Sequence, residues 1–204
     1  MNWDSVQRTA RDAGYIVYAM DQSQTDAMTM PGPWGNAYSG YCMGMAVRWI
    51  WLRYQGRDFP YNSSTKVYAE TDWRATAIQN IYEDEDKSNY AEHWEKSTGA
   101  YHMTISEGLQ LTRMNRPSGA FVNLMLTRSE GCYGISLKRE GGGHAIAAQN
   151  EGGKTFRLFD ANYGHFVASG ADTFKDFLDW YFQATGYEER YKKATFICGV
   201  NAPQ

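Results

Sequence analysis

The 204-residue sequence predicts an α+β fold, with helices in the first part of the chain and an antiparallel sheet in the second. Up to about residue 116, apolar residues recur at spacings of three and four, which is typical of helices. Beyond about residue 117, short apolar segments alternate with glycine-rich turns at 141–143 and 151–153, which is typical of hairpins. The length corresponds to one domain over 1–204, and we expect a helical part over about 1–116 and a sheet part over about 117–204.

The clearest helical pattern begins near Cys42, where apolar residues at 47, 50, 51 and 54 form one stripe that leads to a stop at Gly56. Further helices are predicted over about 4–13, through most of 62–114, and over about 173–185. The acidic run 83–86 is interpreted as the solvated end of a helix, with a dock for a basic substrate segment as the alternative.

The second part of the chain contains segments with the length and composition of β-strands. The predicted strands are 120–126, 132–137, 144–148, 155–159, 165–167 and 194–200.

Composition and charge exclude several classes of protein. The chain has 20 basic and 23 acidic residues and a formal net charge of −3, which is not the basic excess of a nucleic-acid-binding protein. No apolar run approaches the roughly 18 residues of a membrane-spanning helix, because Arg48 interrupts the best candidate. The N-terminal residues lack a cationic start followed by an apolar segment, so we expect no Sec-type signal peptide.

The three cysteines are Cys42, Cys132 and Cys198, an odd number at wide spacing, which does not suit a disulfide framework. No CxxC or HxxxH pair is present, so we expect no protein-bound metal and no cofactor. Cys132 and Cys198 lie in strand patterns and are interpreted as core residues, which leaves Cys42 as the candidate for chemistry.

Cys42 lies where a glycine-containing segment, Ser39-Gly40-Tyr41-Cys42-Met43-Gly44, becomes a helix. Unpaired amides at a helix N-terminus favour negative charge, which lowers the pKa of a thiol and raises its thiolate fraction.

Two polar residues stand at the ends of predicted strands. His144 opens an apolar strand after Gly142-Gly143, and Asp160 ends another before the turn residues Asn162 and Gly164. A hairpin turning at 152–153 places position 144 opposite about 161, so we expect His144 and Asp160 to be nearly opposed.

Each of these residues has a structural interpretation: a buried thiol, a satisfied strand-end histidine and an Asp that caps a turn. Together they offer a second interpretation, because a cysteine nucleophile needs a base and the base needs an orienting group.

The order and the local strings resemble the YopT/AvrPphB family of papain-like cysteine proteases, which are effectors secreted by bacteria. The matching strings are Gly40-Tyr41-Cys42-Met43-Gly44 with Trp49 after it, Gly143-His144-Ala145, and Phe159-Asp160-Ala161-Asn162-Tyr163-Gly164-His165-Phe166. The family usually has Pro after the Asp, where this chain has Ala161.

The resemblance implies a papain-like fold, with a helical subdomain that carries Cys42 against an antiparallel sheet that carries His144 and Asp160. Cys42 would be the nucleophile, His144 the general base and then acid, and Asp160 the orienting residue. The oxyanion hole would combine the Cys42 backbone N–H with an upstream amide side chain, for which we choose Asn36 over Gln22 and Gln24.

The implied partners are a protein substrate in a target cell and a secretion apparatus, chaperone or cognate inhibitor, and no nucleic acid. The family resemblance implies secretion without a Sec signal peptide and action in the target-cell cytoplasm.

Two alternatives remain open at the level of sequence. The same three residues could serve deamidation, transglutamination or acyl transfer, and an aromatic-rich α+β chain could be a non-enzymatic binding module. Of the other candidates, His93 and His102 are interpreted as solvent-facing or structural, and His165 as a surface strand residue, with a place in the cleft as the alternative. Trp34 and Tyr41 are interpreted as core or as a wall for the substrate.

Overall fold

A six-stranded antiparallel sheet forms the centre of the computed structural model, which describes residues 3–28, 40–83, 89–106 and 117–204. Its strand order is β1-β5-β4-β3-β2-β6, and every neighbouring pair is antiparallel. The strands are β1 (Ile16–Ala19), β2 (Gly131–Arg139), β3 (Gly142–Glu151), β4 (Thr155–Asp160), β5 (Gly164–Ser169) and β6 (Ala194–Val200).

Helices cover both faces of this sheet. They are α1 (Trp3–Asp12), α2 (Cys42–Tyr54), α3 (Trp73–Glu83), α4 (Tyr90–Gly99), α5 (Gly119–Leu126), α6 (Ala171–Ala184) and α7 (Tyr187–Arg190). Two 3₁₀ turns, Gln22–Gln24 and Asp26–Met28, follow β1. The fold is therefore α+β with an antiparallel sheet, as the sequence predicts.

The first core cluster lies between α2 and the sheet. Almost every residue of α2 from Met43 to Leu52 is buried, so this helix is enclosed on nearly all sides rather than along the single predicted stripe. Trp49 stacks on Phe159 of β4 with ring centroids 5.7 Å apart. This packing fixes the N-terminus of α2, and with it Cys42, against the sheet.

The second core cluster lies on the opposite face, where α1, α5 and α6 cover the sheet. Phe174, Phe177 and Tyr181 of α6 are buried there, at the helical spacing that the sequence predicts. The helix α7 follows at once and adds Tyr187 to the same cluster.

The predicted strand over 120–126 is wrong, because this segment forms α5. A short run of apolar residues does not distinguish a buried strand from a buried helix by periodicity. The buried side chains are Val122, Met125 and Leu126, at i, i+3 and i+4, while Leu124 is 55% exposed. Packing of these side chains against α6 therefore favours a helix over a strand. Asp179 of α6 also accepts the backbone N–H of Gly119, the first residue of α5, at 3.0 Å.

Two other segments of the first part differ from expectation. Residues 62–72 are not helical; they form a turn in which Val67 pairs with Asn62 and with Ala19 at isolated bridges. The predicted strands also omit β1, a four-residue strand that pairs with β5 at the edge of the sheet. The acidic positions 84–86 lie outside the described residues.

None of the helices in the described part of the chain combines the length and apolar character that crossing a membrane requires.

Candidate active site

Cys42 is the first residue of α2, and its half-buried side chain faces the start of β3. The backbone N–H of Ala145 donates to the Cys42 sulfur at 3.4 Å. As the first helical residue, Cys42 has a backbone N–H in the turn whose amides have no intrahelical acceptor. The Cys42 thiol therefore lies close to backbone amide donors, those of Ala145 and of the first turn of α2.

His144 and Asp160 are both buried and hydrogen-bonded, with 2.8 Å between His144 Nε2 and Asp160 Oδ1. The strand register differs from the predicted one. Ala147 pairs with Phe159, and continuing this register places Ile146, not His144, opposite Asp160. His144 and Asp160 are therefore diagonal neighbours on the same face of the sheet.

Asp160 accepts four hydrogen bonds although it is fully buried. Its Oδ1 also accepts the Asn162 backbone N–H at 2.8 Å, and its Oδ2 accepts the hydroxyls of Tyr181 and Tyr187 at 2.7 and 2.9 Å. A carboxylate with this many donors is stabilised in its charged form. Burial by itself would raise the pKa of Asp160, but His144 and these donors hold it below its usual value.

Cys42 and His144 line the same cleft, and the backbone N–H that binds the Cys42 sulfur belongs to Ala145, the residue after His144. Because Asp160 binds Nε2, the other ring nitrogen, Nδ1, remains for the sulfur. Burial alone would raise the pKa of Cys42, but the charge and hydrogen bond of His144 lower it below that of an ordinary thiol. Burial alone would lower the pKa of His144, whereas Asp160 and Cys42 raise it well above its usual value.

Shifts in these two directions favour a thiolate beside an imidazolium, relative to a free thiol and a free imidazole. The arrangement can generate a sulfur nucleophile and hold a proton ready for a leaving group.

Aromatic rings enclose the imidazole of His144. The Tyr187 ring contacts it edge-on, with centroids 5.4 Å apart, and the Tyr191 ring stacks on it at 6.2 Å. The sequence did not predict a role for these tyrosines or for Tyr181, because no local signal marks them as neighbours of strand residues about 20 to 50 positions earlier in the chain.

Gln22 connects the segment before Cys42 to the turn after Asp160. Its Oε1 accepts the Tyr41 backbone N–H at 2.9 Å, and its Nε2 donates to the Asn162 side chain. Gln24, the other upstream amide, is exposed and bonds to Ser23. Asn36, the residue chosen for the oxyanion hole, lies outside the described residues, as does Trp34.

A cleft of about 430 Å³ opens beside Cys42 and His144. One wall comes from α2, α3 and α4 and includes Met43, Gln79 and His93; the other comes from β2 and β3 and includes Gly143. A peptide laid in the cleft would pass the Cys42 sulfur.

Three expectations for neighbouring side chains are corrected or refined by the structure. His165 is not a surface residue: it is fully buried, and its Nδ1 lies 3.1 Å from Asp58 Oδ1. Tyr41 does not line the cleft but is buried with its hydroxyl 2.6 Å from Thr25 Oγ1. His93 is buried at the cleft, whereas His102 is exposed.

The remaining cysteines, Cys132 and Cys198, are free and buried in the core, as expected. Burial raises the pKa of Cys132 to about 12, in contrast to the lowered pKa of Cys42. Within the described residues, no group of three or more His, Cys, Asp or Glu side chains could hold a metal ion.

The fold is similar to that of a solved structure, "Crystal Structure of Pseudomonas Avirulence Protein AvrPphB", with a TM-score of 0.63 and 17% sequence identity. The match covers 93% of this chain and 99% of that chain. The family model "Peptidase_C58: Yersinia/Haemophilus virulence surface antigen" matches residues 127–201. The resemblance to the YopT/AvrPphB family is confirmed.

The segment that matches the YopT/AvrPphB family model contains His144 and Asp160, whereas Cys42 lies before it. The chain therefore combines a papain-like fold with sequence similarity to that family in its sheet part. Comparison with curated protein sequences finds no match.

Proposed function

We propose that the protein is a cysteine protease of the bacterial effector type, with Cys42 as nucleophile, His144 as general base and acid, and Asp160 as the orienting residue. The observation that carries this proposal is the 2.8 Å hydrogen bond between His144 and Asp160 beside the Cys42 sulfur, which accepts the backbone N–H of the next residue, Ala145. The substrate is a protein of the target cell, cleaved in the cytoplasm after delivery by a bacterial secretion system.

In the first step the Cys42 thiolate attacks a peptide carbonyl and forms a carbon–sulfur bond, while the carbonyl oxygen takes up negative charge. The Cys42 backbone N–H and an amide side chain, for which Asn36 is our candidate, stabilise this oxyanion. The imidazolium of His144 then donates its proton to the leaving amine as the carbon–nitrogen bond breaks.

In the second step His144 takes a proton from water, and the resulting hydroxide displaces the Cys42 sulfur from the acyl group. Asp160 keeps the imidazole in the orientation that both steps require. The products are a new carboxylate, a new N-terminus and free enzyme.

The direct experiment treats a eukaryotic cell lysate with the purified chain and identifies new protein N-termini by mass spectrometry. We expect wild-type protein to create N-termini that Cys42→Ala does not create, with the melting temperature of the variant essentially unchanged. Cys132→Ala is the matched control: it removes a buried thiol from the core and should retain cleavage.

A gain of about 1 Da on glutamine side chains, without new N-termini, would replace proteolysis by deamidation with the same three residues. Cleavage by Cys42→Ala at the wild-type sites would contradict the assignment of the nucleophile.

A further inference from the structure

The cleft beside Cys42 carries positive charge on one wall. Lys138, Arg139 and Lys193 line it, and no Asp or Glu is among its lining residues in the described part of the chain. This local excess contrasts with the formal net charge of −3 for the whole chain. A cleft lined by charges of one sign focuses the electrostatic potential and raises the local concentration of ligands of the opposite sign.

Neighbouring strands hold the three cations together. Lys138 and Arg139 end β2, and Lys193 directly precedes β6, which pairs with β2. The Lys193 N–H donates to the Lys138 carbonyl at 3.0 Å. Lys138 is 7% exposed, with its ammonium 4.4 Å from the centre of the Tyr90 ring, whereas Arg139 and Lys193 are exposed to solvent.

The strand pairing places these cations next to the candidate catalytic residues. Leu137 and Lys138 of β2 pair with His144 and Gly143 of β3. Gly143, which pairs with Lys138, is one residue, about 3.3 Å along the strand, from His144. The positive wall thus begins where the substrate backbone would pass the Cys42 sulfur.

We propose that this cleft selects substrates with an acidic side chain close to the scissile bond, and that Arg139 and Lys193 are its specificity residues. The inference rests on the proposed function. Complementary charge attracts such a segment and guides its approach, while a basic segment in the same register is repelled. Because Arg139 and Lys193 are exposed, their charges can be reversed with little consequence for the core.

The potential at Cys42 can be measured without knowing the substrate. Iodoacetate and iodoacetamide both react as the thiolate forms a carbon–sulfur bond and iodide leaves, but only iodoacetate carries a negative charge. The rate of Cys42 alkylation by iodoacetate divided by the rate with iodoacetamide, measured by mass spectrometry, therefore reports the sign of the local potential. We expect Arg139→Glu and Lys193→Glu each to lower this ratio about threefold at an ionic strength of about 10 mM, with a smaller effect at about 0.5 M.

Lys154→Glu is the matched control, because it makes the same change of charge at an exposed position in the turn between β3 and β4, at the opposite end of β3 from His144. Its rate ratio should equal that of the wild type. A ratio unchanged by both cleft variants, or lowered equally by Lys154→Glu, would overturn the proposal.

A peptide library supplies the second test. Wild-type protein should prefer peptides with Asp or Glu within about three residues of the cut, and the double variant Arg139→Glu/Lys193→Glu should lose this preference by about tenfold. An unchanged preference in the double variant contradicts the charged cleft while leaving the protease assignment intact. Normal ratios for the alkylating agents without any peptide cleavage would instead contradict the proposed function.

Discussion

At the scale of single residues, the most unusual group is the fully buried charge of Asp160. Tyr181 and Tyr187 donate hydrogen bonds to the same oxygen, Oδ2, while His144 binds the other. Burial and the negative charge of Asp160 raise the pKa of both phenols well above the usual value, so both stay protonated as donors. The two tyrosines therefore hold the carboxylate in the position from which it binds His144.

Replacing Tyr181 and Tyr187 by Phe should weaken this support without opening a large cavity. We expect the double variant to alkylate Cys42 with iodoacetamide about tenfold more slowly at pH 6, because a poorly held carboxylate stabilises the imidazolium less and the thiolate population falls. The rate at Cys42 is measured by mass spectrometry, together with the melting temperature.

Tyr163→Phe is the control for this pair, because the Tyr163 ring packs edge-on against both rings and its backbone N–H, which the variant keeps, is the group that donates to the Asp160 backbone carbonyl. Its alkylation rate should match that of the wild type. Wild-type reactivity in the double variant would show that the tyrosines only fill space around Asp160.

The sequence predicts individual site residues where the signal is local. Cys42, His144 and Asp160 each follow or precede glycines or turn residues that mark the end of an element. Tyr187 and Gln22 carry no such mark, because their partners lie 27 residues before and 140 residues after them. His165 was placed at the surface for the same reason: its burial depends on Asp58 and on the rings of Trp49 and Tyr18, which local sequence does not reveal.

At the scale of elements, the close contact between α2 and α3 positions the N-terminus of α2, where Cys42 lies. Gly44 lies against α3, and a Cβ at this position would come within 1.8 Å of the Ala75 carbonyl oxygen. The Gly44 N–H also donates to the Gln79 side chain at 3.2 Å. The absence of a side chain at Gly44 therefore permits the close approach of the two helices two residues after the candidate nucleophile.

Gly44→Ala should force the two helices apart. We expect a loss of about 3 kcal/mol in the free energy of unfolding, measured by urea denaturation, and a slower alkylation of Cys42 as its helix shifts. Gly99→Ala, at the end of α4, is the control: nothing lies within 4 Å of its added Cβ, and alanine favours the helix. Equal stability of Gly44→Ala and wild type would contradict the tight contact between α2 and α3.

Element type was predictable where the sequence pattern was long or bounded by turns. The glycines at 141–143 and 152–153 frame β3, and the spacing of Phe174, Phe177 and Tyr181 marks α6. The apolar pattern did not predict α5 correctly, because packing on α6 decides that this eight-residue segment is helical. It did not predict β1 either, because four residues are too few to show the alternation of a strand.

At the scale of the whole molecule, the candidate site depends on three elements that are distant in the chain. The N-terminus of α2 supplies Cys42, β3 supplies His144, and β4 supplies Asp160, with helices on opposite faces of the sheet supporting them. The core on one face positions the thiol, and the core on the other face positions the carboxylate. The imidazole at the end of β3 connects the two.

The pH dependence of Cys42 alkylation tests this account most directly. Because the pKa of Cys42 is lowered and that of His144 is raised, we expect the thiolate to persist as the pH falls below about 8.5, where an ordinary thiol becomes protonated. We predict that wild-type Cys42 reacts with iodoacetamide at pH 6 about as fast as at pH 8, and that His144→Ala slows the reaction at pH 6 at least about 30-fold. A wild-type rate that rises only near pH 8.5, unchanged by His144→Ala, would contradict it.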